Sequence, residues 1–458
     1  IYMPLLSTFG AASARSFGGI GGASGGAKGW VADIGSMYIN GVAVDGNDNI
    51  LLYGGDSSSG GDSYLANISA DGTQFSTKKA YSGGNDYPEY NGIFDSSNKF
   101  YNINDGLIER RSALGGGSPL TVDLSRNTNN SSNFNTFVAV DGSSNIYSLG
   151  RNTNNRALTV IKMNSSGTLQ YSRALYPSGG SGSYNPSIMG GFFYNTDVYW
   201  YGYIPKNSTI YGTAGIVKCR GSDPVEGVAG RYYYNGFTNE QRMVSACVDS
   251  SGDIYFIVKL HSNTSGLTNS TGTVSIGKIS SSLTGARIWE KGYYRTSGQL
   301  VEDGNGASIV EVDGKVYVYM GREKNSTTAE LLILNSSDGS EVAKRSIQNF
   351  STTGATYPVI YPYNQASKTS DNFAILVSMT KVIKINADIL PDASTWIGGN
   401  IVFFGSSQLA AGANSYLSET GNSSSDFTNS DAGYSVGTNS NSQLSDPTIT
   451  VSNHAEIG

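Results

Sequence analysis

The chain has 458 residues and a formal charge of -6, from 30 basic and 36 acidic side chains, with only 14% of residues charged and no long run of Lys and Arg. That composition excludes the electrostatic footprint of a nucleic-acid binder. Two cysteines, Cys219 and Cys247, and two histidines, His261 and His454, are too few for a zinc cluster, and no apolar run approaches the ~20 residues of a membrane helix.

Residues 1–28 are rich in Gly, Ala and Ser and read as an extended arm or linker. "AKGWVADIG" then supplies one isolated strand. From "GVAVDGNDNILLYGG" onward a pattern of strand, tight polar turn and strand recurs. Its copies centre on Asp45, Asp95, Asp141, Asn195, Asp249, Asp313 and Asp371. Between them lies a second hairpin, as in "YLANISADGTQFSTKKAY" and "ELLILNSSDGSEVAKRSI", also in seven copies. Two hairpins per repeat give four strands. Four-stranded units arranged radially are the blades of a β-propeller.

The expected fold is therefore all-β: a seven-bladed propeller of four-stranded antiparallel blades over residues 29–404, between an N-terminal arm (1–28) and a C-terminal polar and β extension (405–458). Strands such as "GVAVD" and "FVAVD" are apolar and small enough to lie nearest the axis. Those ending in Trp, Tyr or Lys, as in "ARIWEKGYY", belong outside. Two segments compete to close the ring, Trp30 to Ile34 and Thr395 to Phe403.

The loop "DGNDN" offers Asp45, Asn47 and Asn49 at the spacing of half a calcium loop, but no bidentate Glu completes it. Other copies read "DGSSN", "DSSGD" and "DGK", which keep turn formers and lose oxygens, so a turn is expected and no metal site. Cys219 and Cys247 are expected as buried thiols, with a disulfide between them the alternative their spacing allows. No acid pair, His-based triad or phosphate loop can be assigned, and no catalytic residue, cofactor or metal is expected.

Connections between blades, and those between second and third strands, share one face and are the long, variable ones. Tyr87, Tyr90, Tyr184, Trp200, Tyr201 and Tyr203, with Arg151, Arg156 and Arg322, are the candidate ligand-binding residues there, as stacking planes and hydrogen-bond forks for sugars or protein ligands.

The head "MPLLSTFGAASARSFGG" (Met3 to Gly19) and the tail "LSDPTITVSNHAEIG" resemble segments of fibre and appendage proteins from virions of tailed bacteriophages, of the marine and cyanobacterial kind. The resemblance covers about thirty residues and implies a virion structural protein displayed on the particle surface. A homo-oligomer is expected, docked on other virion proteins through the N-terminal arm and the C-terminal extension, with its loops facing a host-surface glycan or protein and no membrane insertion. A polysaccharide-degrading enzyme with an axial pocket, a purely structural assembly subunit and a bacterial extracellular propeller are the alternatives.

Overall fold

The computed structural model describes residues 29–34, 37–56, 63–81, 91–104, 107–112, 120–125, 133–152, 157–177, 186–204, 213–224, 226–234, 241–260, 273–296, 306–321, 327–350, 366–378, 380–391, 396–397, 402–412, 418–422, 427–430, 435–437 and 452–457. The chain opens on β1 (Gly29–Asp33). Blade 1 follows as β2 (Met37–Val44), β3 (Ile50–Asp56), β4 (Ser63–Ile68) and β5 (Phe75–Tyr81). Blade 2 is β6 (Asn91–Phe94), β7 (Lys99–Asn104), β8 (Leu107–Ser112) and β9 (Leu120–Ser125). Blade 3 is β10 (Asn133–Val140), β11 (Ile146–Asn152), β12 (Ala157–Met163) and β13 (Leu169–Pro177).

Blade 4 comprises β14 (Ser187–Tyr194), β15 (Asp197–Tyr203), β16 (Ala214–Arg220) and β17 (Ala229–Tyr234). Blade 5 comprises β18 (Arg242–Val248), β19 (Asp253–Leu260), β20 (Thr273–Ser280) and β21 (Trp289–Arg295). Blade 6 comprises β22 (Ala307–Val312), β23 (Lys315–Gly321), β24 (Thr328–Asn335) and β25 (Glu341–Gln348). Blade 7 begins with β26 (Ala366–Lys368), β27 (Ala374–Val377) and β28 (Lys381–Ile385), and a short 3-10 turn at Ala387–Ile389 follows. The tail carries β29 (Trp396–Ile397), β30 (Val402–Gly405), β31 (Leu409–Ala411), β32 (Ser418–Asn422), β33 (Phe427–Ser430), β34 (Ser435–Gly437) and β35 (Ser452–Ile457).

Within every blade the strands pair antiparallel in chain order. The first strands touch one another in the cyclic order β2, β6, β10, β14, β18, β22, β26 and back to β2, so the seven-bladed ring is closed. The small, apolar first strands expected at the axis are there. At Gly41 the reason is local: a Cβ would sit 2.2 Å from the Tyr53 hydroxyl, because the ring of the directly opposed Tyr53 lies over this position.

Closure is made by β1, as the fourth strand of blade 7. It pairs with β28 through Trp30 opposite Lys384, Val31 opposite Ile383 and Ala32 opposite Val382. Alternation along the strand sends neighbouring residues to opposite faces of the sheet. Trp30 and Ala32 enter the core shared with Val42, Val44 and Leu52 of blade 1, while Val31 enters the core shared with Val310 and Leu331 of blade 6. The competing segment does something else: β29 and β30 pair with each other, and β30 pairs with β25 on the outside of blade 6.

Apolar clusters fill all seven interfaces between adjacent blades. The packing of large side chains between faces of neighbouring sheets is what replaces a single central core.

The four-stranded expectation is too small for six of the blades. After β30 the tail passes backward around the rim: β31 pairs with β21 of blade 5, β32 with β17 of blade 4, β33 with β13 of blade 3 and β34 with β9 of blade 2. Finally β35 pairs with β1 on blade 7. The polar, Gly- and Ser-rich composition hid these strands, because a fifth strand at a rim is held by backbone pairing and needs no apolar alternation. Only blade 1 has four strands among the described residues.

Trp30 is buried on a strand that no hairpin holds to its blade. Trp30→Ala is expected to cost ~3–5 kcal/mol, as large-to-small changes of a buried Trp do, and Val342→Ala, at an exposed position, less than about 0.5 kcal/mol. Chemical denaturation of the full chain measures both.

Candidate functional site

Chain direction divides the ring into two faces. The turns between first and second strands and between third and fourth strands lie on one face, and the connections between second and third strands and between blades leave from the other.

On the first face the recurrent Asp is the organising group. Asp249 Oδ1 accepts from the amides of Ser251 and Asp253, both at 2.9 Å, and its Oδ2 accepts from the Tyr255 hydroxyl at 3.0 Å. Asp95 repeats this with Ser97, Lys99 and Tyr101, and Asp141 with Ser143, Asn145 and Tyr147. In Asp45 the Asn49 side-chain amide donates to Oδ2 at 3.0 Å. The backbone forms a turn in which the fourth residue donates to the Asp carbonyl and adopts positive φ: Asp48 at 64°, Asn98 at 58°, Ser144 at 57° and Gly252 at 89°. That geometry is a type I turn followed by a left-handed residue, which explains why Asp, Asn and Gly recur.

The carboxylate oxygens that a cation would need thus already accept amide and hydroxyl hydrogens. The same contacts act back on the tyrosines. Burial first, and the Asp95 charge second, push the Tyr101 hydroxyl up to about 12. Burial followed by the neighbouring Asp also raises Tyr147 and Tyr255. These hydroxyls therefore stay protonated donors at neutral pH.

The turns also bind one another around the ring. Ser370 of blade 7 donates its amide to Asp48 of blade 1 at 2.7 Å. The Gly46 amide donates to Asn98 of blade 2 at 2.8 Å, and the Ser144 hydroxyl of blade 3 to Asp95 of blade 2 at 3.1 Å. The Tyr194 hydroxyl of blade 4 donates to the Ser250 carbonyl of blade 5 at 3.4 Å, and Lys368 of blade 7 to Glu311 of blade 6 at 3.2 Å.

Further out, a second set of contacts joins six of the seven blades, among the described residues, to a carbonyl just beyond the third strand of the next blade. Trp30 and Lys384 both reach Ala70 at 3.2 Å. Tyr171 and Tyr147 reach Gly221 at 2.9 and 3.3 Å, Tyr199 reaches Ser281 at 2.9 Å, and Trp289 and Lys278 both reach Ser336 at 3.1 Å. Arg110 donates to Ser165, and Arg345 to Pro391 at 2.9 Å. Several of these donors are the Trp, Tyr and Lys that mark the outer strands in the sequence.

The rim carries the charged clusters. Glu419 on β32 pairs with Arg231 at 3.0 Å and lies 3.4 Å from Arg287, which also pairs with Glu290. Between blades 5 and 6, Ser407 donates to the buried Glu330 at 2.9 Å, and Arg295 donates to Gln408 at 2.6 Å. Tail side chains thus complete polar clusters that span neighbouring blades.

The predicted ligand residues fall into two groups. Tyr87, Tyr90, Arg156, Tyr184 and Arg322 lie outside the described residues. The remaining four are placed. Arg151 is half-buried and donates to the Pro186 carbonyl at 2.6 Å, linking blade 3 to blade 4. Trp200, Tyr201 and Tyr203 are buried, which corrects the expectation that they offer stacking planes. Trp200 donates its indole N–H to the Thr159 carbonyl at 3.3 Å, and Tyr201 lies over Gly190, where a Cβ would come within 2.0 Å of its ring. Alternation along an aromatic-rich second strand put large residues on both sheet faces, and both faces of an inner blade strand are interior.

Cys219 and Cys247 are free and buried, and burial raises both thiols. Among the described residues no group of three or more His, Cys, Asp or Glu is arranged to hold a metal ion.

No protein-family model and no curated protein matches the chain. Among solved structures, a chain of the mitotic checkpoint complex is similar at 9% identity and a TM-score of 0.45, over 81% of this chain and 99% of that one. Drosophila Semaphorin 2a is similar at 9% identity and a TM-score of 0.41, over 78% of this chain and 74% of that one. The seven-bladed propeller stands on the strand pairing and the closed order of the blades.

Asp249→Ala leaves two amides and one buried hydroxyl without their acceptor and is expected to destabilise by about 1–3 kcal/mol. Millimolar calcium is expected to leave the thermal midpoint of the unaltered protein unchanged, since a bound ion would raise it by mass action. A calcium-dependent rise that Asp45→Ser abolishes would restore the cation-loop reading. Differential scanning calorimetry with and without calcium distinguishes these.

Proposed function

We propose that the protein is a non-enzymatic display or adhesion module: a virion appendage of a tailed bacteriophage, at the particle surface, that turns its long connections toward a host-surface glycan or protein. The observation that carries this reading is the division of labour between the two faces. On the turn face, carboxylates, amides and hydroxyls are spent on one another and on the neighbouring blade. On the other face, the strand ends emit the longest connections, residues 261–272 between β19 and β20, 296–306 between β21 and β22, and 349–365 between β25 and β26.

Rigid scaffolds with variable loops on one face are a recurrent way to carry binding residues. The resemblance of the head and tail segments to phage appendage proteins adds the setting. Attachment fits the position of the arm: residues 1–28 join the body at β1, which is paired on both sides, with β28 and β35. A pull on the arm would load a strand held by two neighbours. Assembly as a homo-oligomer on such arms would multiply weak loop contacts into avidity.

The full-length protein, applied to bacterial cells and to their purified envelope polysaccharides, is expected to be retained without releasing oligosaccharide. The double variant Tyr87→Ala with Tyr184→Ala is expected to lose at least ~10-fold in binding, equivalent to about 1.4 kcal/mol, with an unchanged melting midpoint. Release of oligosaccharide by the unaltered protein would contradict the non-enzymatic reading in favour of a polysaccharide-degrading enzyme.

A further inference from the structure

We infer that Arg231 of blade 4 and Arg287 of blade 5 form a carboxylate-binding site whose ligand is Glu419 of the tail, and that filling this site sets the register of β32 on the rim. The inference does not depend on the functional reading above.

The geometry of the contact is the first ground. Glu419 Oε1 lies 3.0 Å from Arg231 Nη2 and accepts from the backbone amide of Arg287 at 3.3 Å, while Oε2 lies 3.4 Å from Arg287 Nε. One carboxylate is thus held by donors from two blades. The receptor is itself fixed: Arg287 pairs with Glu290 and lies over the Tyr233 ring at 5.9 Å, Glu290 accepts from the Ser275 hydroxyl, and Tyr233 stacks on Phe256 of blade 5 with centroids 4.7 Å apart.

Charge is the second ground. Glu419 is the one charged residue that the sequence places in the tail strands from β30 to β34, and it stands where two arginines converge. The side chains of Arg231, Arg287 and Glu419 are only 15–16% exposed, so solvent and salt screen the contact less than they would an open surface pair. Removing the carboxylate would leave the Arg231 guanidinium, in that setting, without the ion-pair partner it has here, which is costly for a largely buried charge.

Register is the third. The strand β32 reads Ser-Glu-Thr-Gly-Asn and holds no apolar residue. Polar, Gly-containing strands are the kind whose pairing slips, because no buried face specifies them. A slip of two residues would keep each side chain on its own face, yet it would carry Glu419 about 6.7 Å along β17 and break the contact with Arg231. The observed pairing puts Glu419 opposite Tyr233 and Gly421 opposite Arg231, which leaves Glu419 on the diagonal from Arg231, within reach of a long side chain.

Directly opposed residues on antiparallel strands have the Cα separation a disulfide needs, so engineered cysteine pairs report the register. In the full-length protein, Tyr234→Cys with Ser418→Cys, at positions that stand opposite each other, is expected to oxidise within one chain several-fold more completely than Tyr234→Cys with Thr420→Cys, the pair that a two-residue slip would align. Adding Glu419→Ala to both is expected to lower that ratio several-fold. Acetate at about 100 mM is expected to restore it, where chloride at the same ionic strength, and so with the same screening, does not. Peptide mapping reads the yields. An unchanged ratio in the Glu419→Ala background would overturn the register claim, and recovery in neither salt, or equally in both, would overturn the carboxylate site.

Discussion

A propeller of separate sheets stands or falls on how the last blade meets the first. Each sheet here buries both faces against its neighbours, so an unclosed ring would expose two large apolar faces at once, one on blade 1 and one on blade 7. The chain meets this constraint with β1, which lies more than three hundred residues from its partner β28 in sequence. Trp30 and Ala32 face the first blade, Val31 faces the sixth, and Lys384 beside Trp30 ties the same junction to the Ala70 carbonyl. The tail then returns to this strand and pairs with its outer edge. Both ends of the described chain are therefore fixed at one blade, and opening there would have to break apolar packing, backbone pairing and polar contacts together.

Polar groups do the same work on a finer scale. With only 14% of residues charged, the turns use hydroxyls, amides and carbonyls beside ion pairs such as Lys218 with Asp197 and Lys384 with Asp371. One Asp carboxylate fixes its own turn through two amides and then orients a tyrosine hydroxyl or reaches a neighbouring blade. Some of the charged side chains meet where blades touch the tail, at Arg231, Arg287, Glu290 and Glu419, and at Arg295 and Glu330, while others pair within or between blades, as Lys218 does with Asp197 and Lys368 with Glu311. Buried charges need partners, and a partner lost there leaves the other uncompensated. The tail is thus bound to the rim by side chains as well as by strand pairing.

The repeat was legible because hairpin turns demand particular residues. Asp at the first position, a residue tolerant of positive φ at the fourth and an apolar strand on either side fix the copies around Asp45, Asp95, Asp141 and Asp249. The same physics separated the turn from a cation loop, since a ligand set would have had to keep its oxygens. Two features were not legible. The tail strands lack apolar alternation, and their signal is a spacing of seven to nine residues that carries meaning only once the blade width is known. Trp200, Tyr201 and Tyr203 looked like a binding surface because a sequence shows aromatic content and not which faces are interior; in an inner strand of a propeller both are.

Whether closure governs the entire ring can be measured at a distance from it. Cys219 lies in blade 4, three blades from β1, and Cys247 in blade 5, two blades from it, and both thiols are buried. Their reaction with a thiol reagent under native conditions reports how often those blades open. If closure at blade 7 constrains every blade, Trp30→Ala will accelerate both thiols by the factor that corresponds to its loss of global stability. If the thiols of the Trp30→Ala protein react at the unaltered rate, the blades open independently and the ring does not depend on its closing strand.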